Sequence, residues 1–440
     1  MNKNIAIGRA VLQGARLGLV AAAGLVLGLL PSCRQEPDAI FDKSSSERVD
    51  ALTSELQKIL TASSTGWVLE YYPHTQLLYG GYPVTMTFGA KNEVLMASDA
   101  PVKGHSTAEV KSNYHLKSDK MVSLSFDTYS SPLHLFSDPD KSYGAGEGKS
   151  FEGDYEFTFV RSVSPDTLYL KGRKTGVVMR MFRPKVAAKE YLAKVLDLKS
   201  RAYTSQSMYQ QHLYGLTGKL GGKSVVAYLN NDGYNILTIE DAETGKKTEV
   251  PYVYTTDGLQ FHKEYNGVST LLWKDADKSY NTPAGEKLTA RTDPDYAGFA
   301  KYLGEYELKC TGWTTPRTVT FSQAARNLYR ITGMAPNLTI YATYDAAKDR
   351  FEIKTQKLEG SGGAYLCVWD SKVGNLSWGT GFGMYSKLDE TYTAGKRYKL
   401  VDNGVWGTFT AGSYILWKPG GGEYKSFGDS RFTSPVFTKK

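Results

Sequence analysis

The densest collection of side chains able to do chemistry lies between residues 105 and 156, where three of the six histidines occur among acidic residues. Imidazoles and carboxylates together can ligate a transition metal, or supply an acid and a base with different pKa values. Their spacing fits no single-helix or single-turn ligand pattern, so only a fold that gathers several strands could assemble them. The catalytic candidates are His134, Asp138 and Asp127. The alternating run 132–136 suits a structural histidine on a half-buried strand equally well.

A second group of candidates is aromatic and lies in the glycine-rich run 374–385. Trp378, Phe382 and Tyr385 could form an exposed loop whose ring faces bind a ligand. The chain holds 31 Tyr, 17 Phe and 7 Trp, and packing between β-layers must use most of these rings. The loop is therefore a candidate binding surface, with core packing as the alternative role for each ring.

Sequence motifs of other catalytic and metal sites are missing. The chain has no HExxH, GxSxG or CxxC motif, which are typical of zinc peptidases, nucleophile elbows and zinc ribbons. The glycine-rich run 144–150 is interpreted as a turn, because Tyr143 stands where a phosphate-binding loop requires glycine. The run 230-NNDG-233 is interpreted as a hairpin turn that needs no calcium. We expect no metal and no cofactor, and enzymatic activity stays open.

The elements that must position these candidates are mostly strands. The aromatic surplus and the 44 glycines favour strands joined by tight turns. Alternating runs such as 83–88 and 177–182 support this interpretation. The prediction is a mainly β fold of antiparallel meander, barrel-like or sandwich modules. Two amphipathic helices are predicted at about 44–62 and 185–200, the first opened by a capping box of Ser44 and Glu47.

The N-terminus predicts where the mature protein is located. A basic segment and the apolar stretch 17–30 precede Cys33, and that stretch is too short to span a bilayer but suits a signal peptide. The string 30-LPSC-33 resembles the lipobox cut by bacterial lipoprotein signal peptidase. Residues 1–32 are thus the predicted signal peptide, Cys33 the lipidation site that anchors the chain in outer-membrane lipid, and 33–43 the tether.

The mature length exceeds what one hydrophobic core usually serves. A glycine, an apolar strand, an aromatic residue and a cation recur in that order at three places, which suggests a repeated β-module. The predicted modules are 44–184, 185–298 and 299–440. The last resembles small meander barrels of the calycin type.

Cys310 and Cys367 both lie in strand-like runs, in a compartment that permits disulfides. A disulfide between them and a pair of free thiols are both open from sequence, since facing geometry cannot be inferred from spacing. The formal net charge of +8 comes from Lys and Arg scattered among acids. No basic stripe forms, and we therefore expect no nucleic-acid partner.

Several short strings resemble, in the same order, an uncharacterised lipoprotein family of Bacteroidota known only as a domain of unknown function. The strings are 41-FDKSSSER-48, 66-GW-67, 71-YYP-73, 80-GGY-82, 126-FDTY-129, 133-LHLFSDP-139, 153-GDYEF-157 and 170-LKG-172. The resemblance implies a surface lipoprotein often encoded near TonB-dependent importers and their starch-utilisation-type binding lipoproteins. It implies no catalytic residues.

The sequence supports one leading hypothesis and two alternatives. The first is a lipid-anchored cell-surface accessory of an outer-membrane nutrient-import system that captures a small ligand such as a glycan, a peptide or a chelated metal. Its expected partners are a TonB-dependent importer and the binding lipoprotein of that importer. The alternatives are a hydrolase that uses the His/Asp-rich region, and a structural or adhesive surface protein. A periplasmic location is the alternative to the cell surface.

Overall fold

The structure is a computed structural model that describes residues 44–440, apart from 103, 119–120, 142–147, 231–233 and 426–428. The predicted signal peptide, Cys33 and the tether lie outside the described residues. Strands dominate the described part, which confirms the mainly β prediction. Within that part, no helix has both the length and the apolar character needed to cross a membrane.

Both predicted amphipathic helices are present. The described helices are α1 (Ser45–Thr61), α2 (Ser131–His134), α3 (Ala188–Arg201), α4 (Ser205–Gln210) and α5 (Tyr296–Ala300). Before α1, the Ser44 N–H donates to the Glu47 carboxylate at 2.8 Å, and the Glu47 N–H donates to Ser44 Oγ at 3.2 Å. This is the predicted capping box. The buried face of α3 carries Tyr191, Val195 and Leu198 at helical spacing.

Nine strands of the N-terminal part form one antiparallel sheet with the order β4-β3-β2-β1-β9-β8-β7-β6-β5. They are β1 (Trp67–Tyr71), β2 (Tyr82–Phe88), β3 (Glu93–Ser98), β4 (Val110–Asn113), β5 (His115–Ser118), β6 (Val122–Ser125), β7 (Glu156–Ser164), β8 (Thr167–Gly172) and β9 (Val178–Phe182).

This sheet is strongly curled. Strands β4 and β5 stand at its opposite ends, yet only Tyr114 separates them along the chain. The sheet must therefore curl until its two edges approach each other. Helix α1 contributes Leu56 and Leu60 to the enclosed core. The indole of Trp67 donates to the Leu60 carbonyl at 3.0 Å, which fixes the end of the helix against β1.

The next eight strands form a closed antiparallel barrel. It is here called the second barrel, because the curled nine-stranded sheet, the first sheet, precedes it in the chain. Its strands are β10 (Leu213–Leu220), β11 (Lys223–Leu229), β12 (Ile236–Asp241), β13 (Lys247–Tyr254), β14 (Gly258–Tyr265), β15 (Val268–Lys274), β16 (Ser279–Asn281) and β17 (Lys287–Thr292). Each strand pairs with the next along the chain, and β17 pairs with β10 to close the barrel. Alternate residues such as Val225, Ala227 and Leu229 face the apolar core.

The C-terminal part contains another closed eight-stranded barrel, here called the third barrel, with the order β18-β19-β20-β21-β22-β26-β27-β31. Its strands are β18 (Gly304–Lys309), β19 (Arg317–Ala325), β20 (Leu328–Thr332), β21 (Ile340–Asp345), β22 (Arg350–Lys354), β26 (Gly383–Leu388), β27 (Arg397–Asp402) and β31 (Val436–Lys439). A separate side sheet holds β23 (Gln356–Lys357), β24 (Tyr365–Asp370), β25 (Asn375–Ser377), β28 (Ser413–Lys418), β29 (Gly422–Glu423) and β30 (Arg431–Thr433).

The two closed barrels differ in continuity. The second barrel is an uninterrupted meander, whereas two insertions carrying the side sheet interrupt the third barrel. The module boundaries 184/185 and 298/299, and the calycin likeness of the last module, stay predictions. Residues 49–440 form one compact unit, which contains all the sheets described above.

Candidate functional site

His134 does not lie on a strand, as the alternation of 132–136 suggested, but ends the short helix α2. Pro132 stands in the first turn of that helix, where proline is favoured because its missing N–H is not needed. The ring is buried. Its Nδ1 accepts from the Ser130 N–H at 3.0 Å, and its Nε2 donates to the Phe126 carbonyl at 2.8 Å. Burial lowers the pKa of His134, although these backbone contacts oppose it. The ring is therefore neutral and structural.

The two carboxylates predicted beside His134 have other partners. Asp127 Oδ1 accepts from Ser125 Oγ at 2.5 Å, and the same carboxylate pairs with Lys117 and His115. The Ser125 hydroxyl is the main cause that lowers the pKa of Asp127. Asp138 accepts from the Tyr129 hydroxyl at 3.0 Å. Both nitrogens of His134 are engaged by the backbone, so the three candidates do not form an acid/base site. Among the described residues, no His, Cys, Asp and Glu group could hold a metal ion.

The three aromatic candidates of the run 374–385 have different surroundings. Trp378 follows β25 and is 50% exposed. Phe382 is partly buried and packs against Trp406, with ring centroids 5.9 Å apart. Tyr385 lies on β26, where the Arg350 guanidinium covers its ring at 3.7 Å. The ligand-binding role of Trp378, Phe382 and Tyr385 stays a prediction.

The disulfide that the sequence left open is absent, because Cys310 and Cys367 are both free and buried. Cys310 follows β18 of the third barrel, whereas Cys367 lies in β24 of the side sheet. The strand before Cys310 and the strand that contains Cys367 belong to different sheets. Local alternation could not distinguish these two arrangements.

A cavity with a volume of about 410 Å³ lies at one end of the second barrel. It is here called the barrel-mouth cavity. Its walls come from the end of α3, from α4, from the ends of β11 and β13, and from the end of β19 of the third barrel. The lining side chains of most chemical interest are Lys199, Tyr209, Tyr234, Asn235, Tyr252 and Tyr254.

The polar groups at the cavity are held in place. Lys199 Nζ contacts Asp99 Oδ2 at 2.5 Å and lies 5.0 Å from the ring centroid of Tyr254. Burial raises the pKa of Tyr254 to about 12, so its hydroxyl stays protonated. Helix α4 starts with a capping box between Thr204 and Ser207, which satisfies two backbone N–H groups at the cavity rim. These contacts hold the polar groups of the wall in place.

Asn235 connects the cavity floor to the first sheet. The side-chain Nδ2 of Asn235 donates to the Gly81 backbone carbonyl at 2.6 Å, and the backbone carbonyl of Asn235 accepts from the Tyr252 N–H at 2.9 Å. The Gly81 N–H in turn donates to the Tyr252 carbonyl at 2.9 Å. These bonds join the loop before β2 to β13, which carries both buried tyrosines of the cavity.

The cavity was not predicted from sequence. Lys199 lies near the end of α3, is only partly exposed and is paired with Asp99. Tyr252 and Tyr254 alternate within β13 like any core residues. The one available signal was the cluster of tyrosines in 250–254 close to a polar turn. Only the approach of β19 of the third barrel to α4 and β13 gives that cluster a cavity.

Comparison with known proteins matches most of the chain to two uncharacterised domains. A family model described as a domain of unknown function (DUF4987) matches residues 276–417. No curated protein shows significant sequence similarity to the chain. The family model described as a domain of unknown function (DUF4302) matches residues 37–269, more than half of the sequence, and the chain therefore belongs to the DUF4302 family.

Proposed function

We propose that this protein captures a small, hydroxyl-rich ligand in the barrel-mouth cavity. The observation that carries the proposal is the combination of tyrosine rings with fixed polar groups in one preformed space of about 410 Å³. Ligand cavities typically measure roughly 300–1,000 Å³ and combine apolar walls with a few placed polar groups. The cavity fits that description, and its polar groups are already held by Asp99, Gly81 and the capping box of α4.

The chemistry of the lining favours a glycan over the other ligand classes that the sequence suggested. Tyrosine rings offer flat apolar faces, and Asn, Thr, Ser and Gln side chains offer donors and acceptors for hydroxyl groups. The cation Lys199 is paired with Asp99, so the cavity has little unbalanced charge to select a charged peptide. A chelated metal would need a charged or strongly apolar surface of matching shape.

The proposed setting is the cell surface, where Cys33 would anchor the chain in the outer membrane. The signal-like N-terminus supports an anchor, and the resemblance to a Bacteroidota lipoprotein family supports a role beside a TonB-dependent importer and its binding lipoprotein. The protein would then present the captured ligand to that importer. A hydrolase is not proposed, because both ring nitrogens of His134 are bonded to the backbone.

Ligand capture can be tested by calorimetry with panels of neutral oligosaccharides, short peptides and ferric chelates. Tyr209→Ala removes a partly exposed ring from the cavity wall, and we expect at least tenfold weaker binding of any glycan that binds, a loss of about 1.4 kcal/mol. Tyr341→Ala, on β21 and away from the cavity, is the matched control. Unchanged glycan binding in Tyr209→Ala, or weakening only in Trp378→Ala, would move the site away from the cavity.

The importer role needs a separate test. A C-terminally tagged chain is purified from gently solubilised outer membranes, and the co-purifying proteins are identified by mass spectrometry. Recovery of a TonB-dependent barrel with its binding lipoprotein is the expected result. Recovery of the chain alone would contradict the accessory role. It would not affect the proposal of ligand capture, which the calorimetric experiment tests separately.

A further inference from the structure

The third barrel carries a second cavity at its surface, an open cleft of about 730 Å³ that is rich in cations. It is here called the basic cleft. It lies across β22, β26 and β27, and the turn before β22 and the residue after α5 complete it. Its cationic lining residues are Lys301, Lys348, Arg350, Lys387 and Lys396. Asp349 is the one acidic side chain among the described residues that line the cleft.

The positive charge of the basic cleft is only partly neutralised. Asp349 is paired with Lys301. Asp345 lies 3.7 Å from Arg350 and 4.0 Å from Lys348, so two cations share one carboxylate. Where the chain is described, neither of the two remaining lysines, at 387 and 396, has an acidic partner within 4.0 Å. The cleft therefore has more cationic than anionic groups, and a bound anion would be attracted to it.

Two local features concentrate the charge. Lys387 stands directly opposite Lys399 on the neighbouring strand, but Asp389 lies 2.9 Å from Lys399 Nζ, so Lys387 is the cation of this pair that has no acidic partner. The Arg350 guanidinium carbon lies 3.7 Å from the centroid of the Tyr385 ring, and its buried Nε, 3.7 Å from Asp345, has no hydrogen-bond partner within the described part of the chain. A guanidinium held in this way is ready to bind an oxyanion.

We propose that the basic cleft binds an acidic polysaccharide, a chain with repeated carboxylate or sulfate groups. The cations lie on the adjacent strands β22 and β26 and in three flanking segments, which are the turn before β22, the residue before β27 and the residue after α5; neighbouring strands lie roughly 4.8 Å apart. Such an array suits repeated anionic groups better than a single small anion. Single-stranded nucleic acid is disfavoured, because Tyr385 is covered by Arg350 and leaves little free ring face for stacking bases. This site is additional to the barrel-mouth cavity and does not depend on it.

The test is titration of the full mature chain with oligogalacturonate, which carries carboxylates, and with a sulfated oligosaccharide, each at low and high salt. The double variant Lys387→Glu/Lys396→Glu reverses the charge at the two lysines that have no acidic partner. The matched control is Lys309→Glu/Lys418→Glu, with the same charge change at exposed strand positions outside the cleft. We expect the cleft variant to bind roughly tenfold more weakly than the control, since each exposed ion pair contributes a few-fold.

Each outcome decides the proposal. Binding that weakens in the cleft variant only, and that falls with salt, supports it, and the tighter probe identifies carboxylate or sulfate as the preferred group. No binding of either probe, or equal loss in cleft and control variants, would overturn it. Equal or tighter binding of polyglutamate would also overturn it, because the cleft would then select charge without a sugar chain. Tyr209→Ala should leave these affinities unchanged, so failure here is distinguishable from failure at the cavity.

Discussion

Arg326 and Asp293 form a two-pronged ion pair that joins the third barrel to the end of the second. Arg326 Nε lies 2.9 Å from Asp293 Oδ2, and its Nη2 lies 3.0 Å from Oδ1. The same Nη2 contacts Asp295 at 2.5 Å, and the guanidinium lies 3.5 Å from the ring centroid of Tyr214 on β10. The pair therefore fixes how β19 approaches the barrel-mouth cavity that it helps to line.

Removing this ion pair should destabilise the protein. The Arg326 and Asp293 side chains are only 18% and 8% exposed, so Arg326→Ala leaves a largely buried carboxylate with fewer partners. We expect a loss of roughly 3 kcal/mol in the free energy of unfolding, measured by urea denaturation followed by circular dichroism. Arg330→Ala, at an exposed position of β20, is the control. Equal unfolding free energies of the two variants would show that the Arg326–Asp293 pair does not stabilise the fold.

Gly80 should tolerate no side chain. Its φ is +71°, and a Cβ there would overlap the carbonyl oxygen of Asn235 in the second barrel. Gly222 has a φ of +78° and open space around the same position, so both variants to alanine carry similar backbone strain. We expect Gly80→Ala to lower the unfolding free energy by about 2 kcal/mol more than Gly222→Ala. Similar melting temperatures would contradict the close approach of the two sheets.

Asp241 should make stability depend on pH. Its carboxylate lies 2.8 Å from Lys223 Nζ and accepts from two backbone N–H groups. The Lys223 contact is the main cause that holds the pKa of Asp241 well below its ordinary value. A lowered folded-state pKa contributes stability above the unfolded-state value of about 3.9, and that contribution is lost as pH falls through the folded-state pKa.

The measurement is the difference in melting temperature between wild type and Asp241→Asn from about pH 7 downwards. We expect the difference to be constant at neutral pH and to narrow below about pH 4. Asp257→Asn, in a turn where the carboxylate accepts from the Thr256 hydroxyl at 3.0 Å, serves as the control with a smaller effect. A difference that does not change with pH would contradict the role of the Asp241 charge.

The two buried cysteines should be unreactive in the folded protein. Burial raises the pKa of Cys310 and of Cys367 to about 12, so the reactive thiolate is rare near neutral pH. A chain that begins at residue 44, which lacks Cys33, should take up a maleimide reagent only after denaturation. Mass spectrometry should then find both thiols modified. Resistance to the reagent in non-reducing denaturant would indicate a disulfide after all.

The sequence determined the features that depend on near neighbours. The capping box of Ser44 and Glu47, and the helical spacing of Tyr191, Val195 and Leu198, involve residues within a few positions of one another. The same holds for the strand run 83–88, whose alternation follows from backbone geometry alone. These features could be predicted because the interactions that form them are local in the chain.

The tertiary structure decided everything that depends on pairing between distant strands. The second barrel closes only when β17 pairs with β10, and the cavity exists only because β19 approaches α4 and β13. The positions of Lys199, of Tyr254 and of the two cysteines follow from that assembly. Alternation shows which residues share a strand face but not what the opposite wall is, because burial against a remote element leaves no local pattern.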